Sequence, residues 1–240
     1  MNINKLFLCE DPHIVIQGEG NFTGHKMLVF RVAGCDIKCK DCDTKYSWYT
    51  KKDVWEIPES LQYSIPEIKE YWKNNIKNKK INWIMITGGA PSLYQDILFE
   101  LIDTDFWQGI NFQIEDAGRH SWEKFKSIEN CHFSFSPKIA SLQGQTHIPI
   151  WEALRLNNLP KNWICKIVVD TNNWENDFEA IKKFQTEYQI NNEKIWIMPF
   201  GTTRNEMLRQ SHFLIQKCID KGYNFSPRLH VLIYDDQRMV

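Results

Sequence analysis

The strongest constraint on the fold is an alternation of two patterns along the chain. Short apolar runs bounded by turn residues read as buried strands: "MLVFRVA" (27–33), "INWIMIT" (81–87), "INFQIE" (110–115), "CHFSFS" (131–136), "WICKIVV" (163–169), "KIWIMPF" (194–200) and "RLHVLIY" (228–234). Between them lie stretches of helical periodicity near 66–78, 92–103, 121–128, 149–157, 174–188 and 204–221. In the last, Met207, Leu208, Ser211, Leu214, Ile215 and Cys218 share one face, and Gly222 follows as a stop. Strands alternating with helices form crossover units around a parallel sheet, an α/β architecture. About six such units are too few for a closed eight-fold barrel and enough for a partial, (β/α)6-type one. No repeat, low-complexity segment or Gly/Ser/Pro-rich linker interrupts the 240 residues, so the economical reading is one domain over 1–240.

In such sheets, ligands bind where the loops after the strands converge. That rule brings together the cysteine-bearing loop after 27–33, Gly88-Gly89-Ala90-Pro91, Asp116-Ala117-Gly118 and Pro137-Lys138. The net charge of −1, with basic residues scattered, argues against a protein that lives on a nucleic-acid backbone. The amino terminus lacks the apolar core of a signal peptide, and no apolar run approaches a membrane span. A cytoplasmic protein with reduced thiols is the expectation. Four of its seven cysteines, Cys9, Cys131, Cys165 and Cys218, stand alone and read as small buried hydrophobes.

The other three do not. Cys35, Cys39 and Cys42 form a C-x3-C-x2-C cluster. Structural zinc sites need four ligands and show paired C-x2-C knuckles. Here a fourth zinc ligand would have to come from His25, His120 or a distant cysteine. An iron–sulfur cubane held by three thiolates instead leaves one iron open to a small molecule's amino and carboxylate groups. This spacing, in a loop after the first main strand, resembles the radical S-adenosylmethionine superfamily. The glycine pair Gly88-Gly89, in register behind the next main strand, fits a second feature of that superfamily; glycines there let backbone approach a ligand closely.

The flanking segment "IVIQGEGNFTGHKMLVFRVAGCDIKCKDCDTKYSW" (14–48) resembles 7-carboxy-7-deazaguanine synthase. So do "ITGGAPSL" (86–93), "FQIE" (112–115), "FSPK" (135–138) and "PRLHVLIY" (227–234), so that the resemblance runs almost the whole length. It implies a lyase in 7-deazapurine (queuosine-type) biosynthesis. Its substrate would be 6-carboxy-5,6,7,8-tetrahydropterin, converted with loss of ammonia after a 5′-deoxyadenosyl radical takes hydrogen from C6. A [4Fe-4S] cluster, S-adenosylmethionine and Mg²⁺ are the implied cofactors. The implied partners are an external flavodoxin-type or ferredoxin-type electron donor and a second copy in a homodimer, with neither nucleic acid nor membrane.

Carried over residue by residue, the resemblance assigns Cys35, Cys39 and Cys42 to three irons and Thr44 to magnesium. Asp41, Cys42, Asp43, Gly89, Ser136, Pro137 and Lys138 would contact the adenosyl cofactor. Ile16, Gln17, Gly18, Glu19, Arg31, Thr87, Glu115 and His230 would contact the pterin, Arg31 through its carboxylate, with Lys26 a weaker candidate. The bottom-up alternatives are a turn for Asp43-Thr44, an ion pair for Arg31 and a core histidine for His230. Tyr46 and Trp48 are expected to close over the cluster. Two positions depart from the family pattern. Ala90 stands where a glutamate is usual, and Asp116-Ala117-Gly118 replaces a Thr-Asn-Gly-like continuation, placing an added charge near the substrate. The competing functions are a radical activase acting on a partner protein and a zinc-stabilised non-catalytic module.

Overall fold

The computed structural model describes residues 4–49, 56–138, 151–155, 159–235 and 237. Two short strands, β1 (Leu6–Phe7) and β2 (His13–Ile16), precede β3 (Lys26–Val32). Then follow β4 (Gln62–Tyr63), α1 (Ile65–Tyr71), β5 (Trp83–Gly88), α2 (Gln95–Ile102), β6 (Asn111–Asp116), β7 (Cys131–Phe135) and β8 (Asn162–Val169). The chain continues through α3 (Trp174–Tyr188), β9 (Ile195–Pro199), α4 (Arg204–Lys221), β10 (Asn224–Phe225) and α5 (Leu229–Tyr234).

The central sheet runs β10-β9-β8-β7-β6-β5-β3-β2, while β1 and β4 pair separately. Every neighbouring pair from β3 to β10 is parallel; β2 alone runs antiparallel, against β3. The sheet is therefore open, with β2 and β10 at its edges. Two hydrogen bonds span the gap between the segments that follow those edges: Leu229 N–H to Gly18 O at 2.9 Å and Gly20 N–H to Ser226 Oγ at 2.8 Å. The partial barrel is closed by the residues between Ser226 and Leu229, not by strand pairing.

Six of the seven predicted strands form, because continuous Val/Ile/Phe runs suit strands covered on both faces. The seventh does not. "RLHVLIY" holds the helix α5, in which Val231 is buried while Ile233 and Tyr234 are half exposed. A short apolar run carries no period that separates a buried strand from a helix. The helices at 174–188 and 204–221 form as expected. The second opens with a capping box of Thr203 and Glu206 and stops at Gly222, whose φ is +71°. The helix expected over 66–78 ends at Tyr71 and continues as a π turn (Trp72–Ile76) and a 3-10 turn (Lys77–Lys79). That over 92–103 begins as a 3-10 turn at Pro91–Tyr94. The 121–128 stretch shrinks to the single turn Glu123–Phe125. The 149–157 stretch shows the turn Glu152–Leu154; residues 149, 150, 156 and 157 lie outside the described residues.

Alternation along the strands separates two environments. Leu28, Phe30, Val32, Ile84, Ile86, Phe112, Ile114, Phe133, Phe135, Ile167 and Val169 face the main core beneath the helices, where Cys131 and Cys165 also lie buried. The opposite face is concave. Near the amino ends of the strands it is filled by Met27, Val29, Trp83 and Met85, with Phe22 packed against them. Toward the carboxyl ends the same face carries Arg31, Thr87, Gln113, Glu115 and Lys166. Apolar floor and polar roof make a chamber opening toward the cysteine loop. Among the described residues no helix is long and apolar enough to cross a membrane.

Candidate active site

The cysteine loop is anchored at both ends. Its entry, Gly34, donates its N–H to Ser47 O at 2.8 Å, closing the loop on itself. The glycine pair holds that junction: Gly89 donates to Val32 O at 2.9 Å and Ala90 to Gly34 O at 2.8 Å. A Cβ on Gly88, whose φ is +126°, would sit 2.2 Å from Val32 O, and one on Gly89 would sit 2.0 Å from Gly34 O. These glycines thus serve a close approach of two backbones of the protein itself. Asp36, inside the loop, accepts from His120 Nε2 at 2.7 Å, and Arg119 donates to Asp36 O at 2.9 Å. The segment after β6 therefore clamps the loop from the other side.

All three loop thiols are free, and Cys39 is buried. Burial pushes the Cys39 thiol up to about 11; Lys138 opposes that rise, while Cys35 and Cys42 are near enough to add to it. Cys42 Sγ accepts the Thr44 N–H at 3.4 Å and lies 3.4 Å from Thr44 Oγ1. Among the described residues no group of three His, Cys, Asp or Glu side chains is already arranged to hold a metal ion. His25 packs with Phe22 and Trp83, under the amino ends of the strands, and His120 is engaged by Asp36. Three neighbouring thiols, with a backbone donor on one sulfur, fit a multi-iron cluster with one iron left open.

Behind the loop, the chamber's polar groups form one connected network. Lys166 Nζ donates to Glu19 Oε2 at 2.5 Å and to Glu115 Oε1 at 3.1 Å. Gln17 Nε2 reaches Gln113 Oε1 at 2.8 Å and Glu115 Oε1 at 3.2 Å, while Gln17 Oε1 accepts the Glu19 N–H at 3.1 Å. Arg228 donates to Glu19 Oε1 at 3.1 Å, to Gly201 O at 2.5 Å and to Asp43 Oδ2 at 2.5 Å. Burial works to raise the Glu19 pKa, but Lys166 and then Arg228 outweigh it and hold the carboxyl far below its usual range. Burial also works against the Lys166 charge; Glu115 and Glu19 overcome it and hold the ammonium firmly protonated. His230 lies 3.8 Å from Glu19 Oε1, and burial lowers its pKa. A Cβ on Gly18 would meet the His230 ring at 2.3 Å, which explains the glycine.

The structure brings most of the expected residues to one place. Gln17, Gly18, Glu19, Glu115 and His230 belong to the network just described, and Thr87 Oγ1 lies 3.4 Å from Glu115 Oε2. Ile16, half exposed, ends β2 beside them. Arg31 pairs with Glu10 at 2.7 Å, the ion-pair alternative, while remaining within electrostatic reach of Glu115. Asp41 is exposed on the loop, and Lys138 Nζ donates to Ser136 Oγ at 3.1 Å, with Pro137 buried between them. Tyr46 turns its hydroxyl toward Glu10 Oε2 at 3.4 Å, and Trp48 lies under Lys45.

Two expectations, on Asp116 and Lys26, are corrected. Asp116 does not add charge to the chamber: it sits on the other face of β6, buried, accepting from Gly118 N–H at 2.7 Å and Ser92 N–H at 3.1 Å. It ties the loops after β5 and β6 together. Ala90 is buried, so its side chain belongs to the packing of the glycine loop. Lys26 starts β3, at the end away from the cysteines, and donates to Lys79 O. Lys166, Arg228 and Gln113 were not anticipated. The first carries a readable signal, since a lone lysine inside the apolar run "WICKIVV" must be paired if that strand is buried.

Residues 16–129 match the iron–sulfur family described as a 4Fe-4S single cluster domain. With the three-thiol loop above a parallel sheet, this defines the class: an iron–sulfur enzyme of the radical S-adenosylmethionine kind. The 7-carboxy-7-deazaguanine synthase of Bacillus cereus is 27% identical over 251 residues, covering 99% of this chain and 100% of its own. That of Buchnera aphidicola is 28% identical over 248 residues, covering 95% of each. That of Pyrobaculum aerophilum is 24% identical, covering 93% of this chain and 92% of its own. In fold the chain is similar to the crystal structure of QueE from Escherichia coli, with a TM-score of 0.70 at 23% identity over 94% of this chain and 95% of that one. Over nearly its whole length the chain is similar to 7-carboxy-7-deazaguanine synthases.

Proposed function

We propose that the protein converts 6-carboxy-5,6,7,8-tetrahydropterin to 7-carboxy-7-deazaguanine with loss of ammonia, a step toward 7-deazapurines of the queuosine type. One observation carries this reading. The three-thiol loop opens onto a buried chamber in which a lysine aligns two carboxylates, Glu19 and Glu115. Paired acceptors of that kind match the amine-rich edge of a pterin.

Cys35, Cys39 and Cys42 would hold the cluster, and Asp41 to Asp43, Gly89 and Ser136 to Lys138 would hold S-adenosylmethionine, as the family resemblance implies. When bound, these groups supply a one-electron reduction and the hydrogen abstraction at the substrate's C6. The rest falls to the chain. Glu19 and Glu115 orient the pterin edge; Ile16, Gln17, Gly18, Thr87 and His230 line its pocket. Arg31 faces the substrate carboxylate, shared with Glu10. Lys166 keeps Glu19 ionised and holds both acceptors in place, so little reorganisation accompanies the reaction. The floor of Met27, Val29, Trp83 and Met85 excludes water from below. Thr44 Oγ1 would offer an oxygen to a Mg²⁺ ion, which would supply positive charge at the substrate carboxylate.

The reductant is an external flavodoxin-type or ferredoxin-type protein, and the compartment is the cytoplasm, where thiols stay reduced. A homodimer is the expected assembly; Leu208, Ile215 and Ile219 leave an apolar stripe exposed along α4. The test is anaerobic reconstitution and incubation with reductant, S-adenosylmethionine, Mg²⁺ and the carboxytetrahydropterin. About four irons per chain and a product of the mass of 7-carboxy-7-deazaguanine are expected. Zinc in place of iron, or cofactor cleavage without that product, would overturn the reading.

A further inference from the structure

We propose that Arg228 is a positioning residue that sets the cysteine loop and the substrate segment in fixed relation to each other. Its guanidinium is nearly buried and grips three acceptors from three separate parts of the chain: Glu19 after β2, Asp43 in the cysteine loop and Gly201 after β9. Asp43 lies between Cys42 and Thr44, and Glu19 is two residues from Gln17. A planar fork fixes the directions of all three bonds at once, which a point charge cannot do. Neutralising Glu19 is a task Lys166 already performs, on the other carboxylate oxygen. What Arg228 adds is the link to Asp43. Its own place is secured by its neighbours, since Leu229 N–H binds Gly18 O and Ser226 Oγ receives the Gly20 N–H. One residue thereby ties together the loop proposed to hold the cluster and the segment proposed to hold the pterin. The meaning given to those two ends rests on the proposed function; the tether itself does not.

The experiment is hydrogen–deuterium exchange on the metal-free full-length chain, comparing the native protein with Arg228→Met, Arg228→Lys and Asp43→Asn. Removing a charge-assisted hydrogen bond should raise local opening by about 10-fold or more. In Arg228→Met, exchange should rise together in 17–20 and 35–48, while α3 is unchanged as an internal reference. Arg228→Lys should not restore the native pattern. Asp43→Asn should release 35–48 and leave 17–20 protected, and it keeps the inference testable if the Arg228 variants do not fold. A rise confined to 17–20, full rescue by lysine, or unchanged protection of 35–48 in Asp43→Asn would each overturn the inference and leave Arg228 a counter-ion of Glu19. In reconstituted protein, the Arg228 variants should also alter the electron paramagnetic resonance change that S-adenosylmethionine produces on the reduced cluster. An unaltered change would likewise count against the tether. Failure of the native enzyme to make product would sink the proposed function and leave the exchange result standing.

Discussion

Replacing Lys166 with methionine tests the energetics of the chamber most directly. The ammonium is 3% exposed and lies 2.5 Å from Glu19 and 3.1 Å from Glu115. Methionine fills similar volume but leaves two carboxylates facing each other, one of them still paired with Arg228. Breaking a buried ion pair by removing one partner costs about 3–5 kcal/mol. For a chain of this size each kcal/mol lowers Tm by about 2–4 °C, so a fall of about 6–20 °C is expected near neutral pH. The pH dependence gives the sharper signature. In the native protein Glu19 titrates far below its unfolded value, so its stabilisation is complete above the ordinary carboxylate range and is lost only as pH falls toward the folded value. Native stability should therefore be insensitive to this group between about pH 5 and 7. In the variant Glu19 loses the ammonium that outweighed its burial, so its pKa rises. The folded state then takes up a proton as pH falls, and the variant recovers part of its deficit over that same interval. Urea denaturation at about pH 7 and pH 5 measures both effects. A deficit under about 1 kcal/mol, or one equally large at both pH values, would refute the reasoning. Adding Glu19→Gln and Glu115→Gln to Lys166→Met should restore most of the lost stability, because no unpaired charge then remains.

Cys39→Ser should abolish stable cluster loading, read as a loss of most of the iron and sulfide after anaerobic reconstitution, while the far-ultraviolet circular dichroism stays native. Gly89→Ala forces a Cβ to 2.0 Å from Gly34 O and should destabilise the chain by about 2 kcal/mol or more in urea, with reduced iron loading because the loop entry is displaced. Asp177 on α3 is buried, its pKa pushed up to about 6 by that burial, and one of its oxygens has no partner among the described residues. A raised carboxyl costs stability above its folded value, and the cost fades as pH falls toward the unfolded value, so Asp177→Asn should gain about 1 kcal/mol or more near pH 7, with the gain smaller at pH 5 and gone only below about pH 4 in the same denaturation assay.

The strands of the sheet were legible because their burial on both faces writes itself as continuous apolar runs. The cysteine loop was legible because its ligand spacing is local. What could not be read was anything resting on distant partners. Glu19 and Arg228 are 209 positions apart, and Lys166 and Glu19 are 147 apart, so neither pairing leaves a local pattern. The same distance hid the role of Gly88 and Gly89, whose steric partner is the backbone of β3 and Gly34 and not a ligand. Asp116 was misplaced for a different reason. Strand parity puts it on the face opposite Glu115, but a loop had been assumed to begin before it. The strand assigned to 228–234 failed because an apolar heptad at a sheet's margin satisfies a short helix equally well.

The gap between the sheet edges has a consequence for how the protein comes into being. On a ribosome the chain emerges from its amino end, and the parallel sheet can assemble strand by strand. Glu19 then waits beside Lys166 with no arginine until residue 228 has cleared the exit tunnel. Before that moment the cysteine loop lacks the bond from Arg228 to Asp43, and the chamber stands open along one side. A message truncated before codon 228 would yield an almost complete sheet whose cysteine loop lacks its arginine.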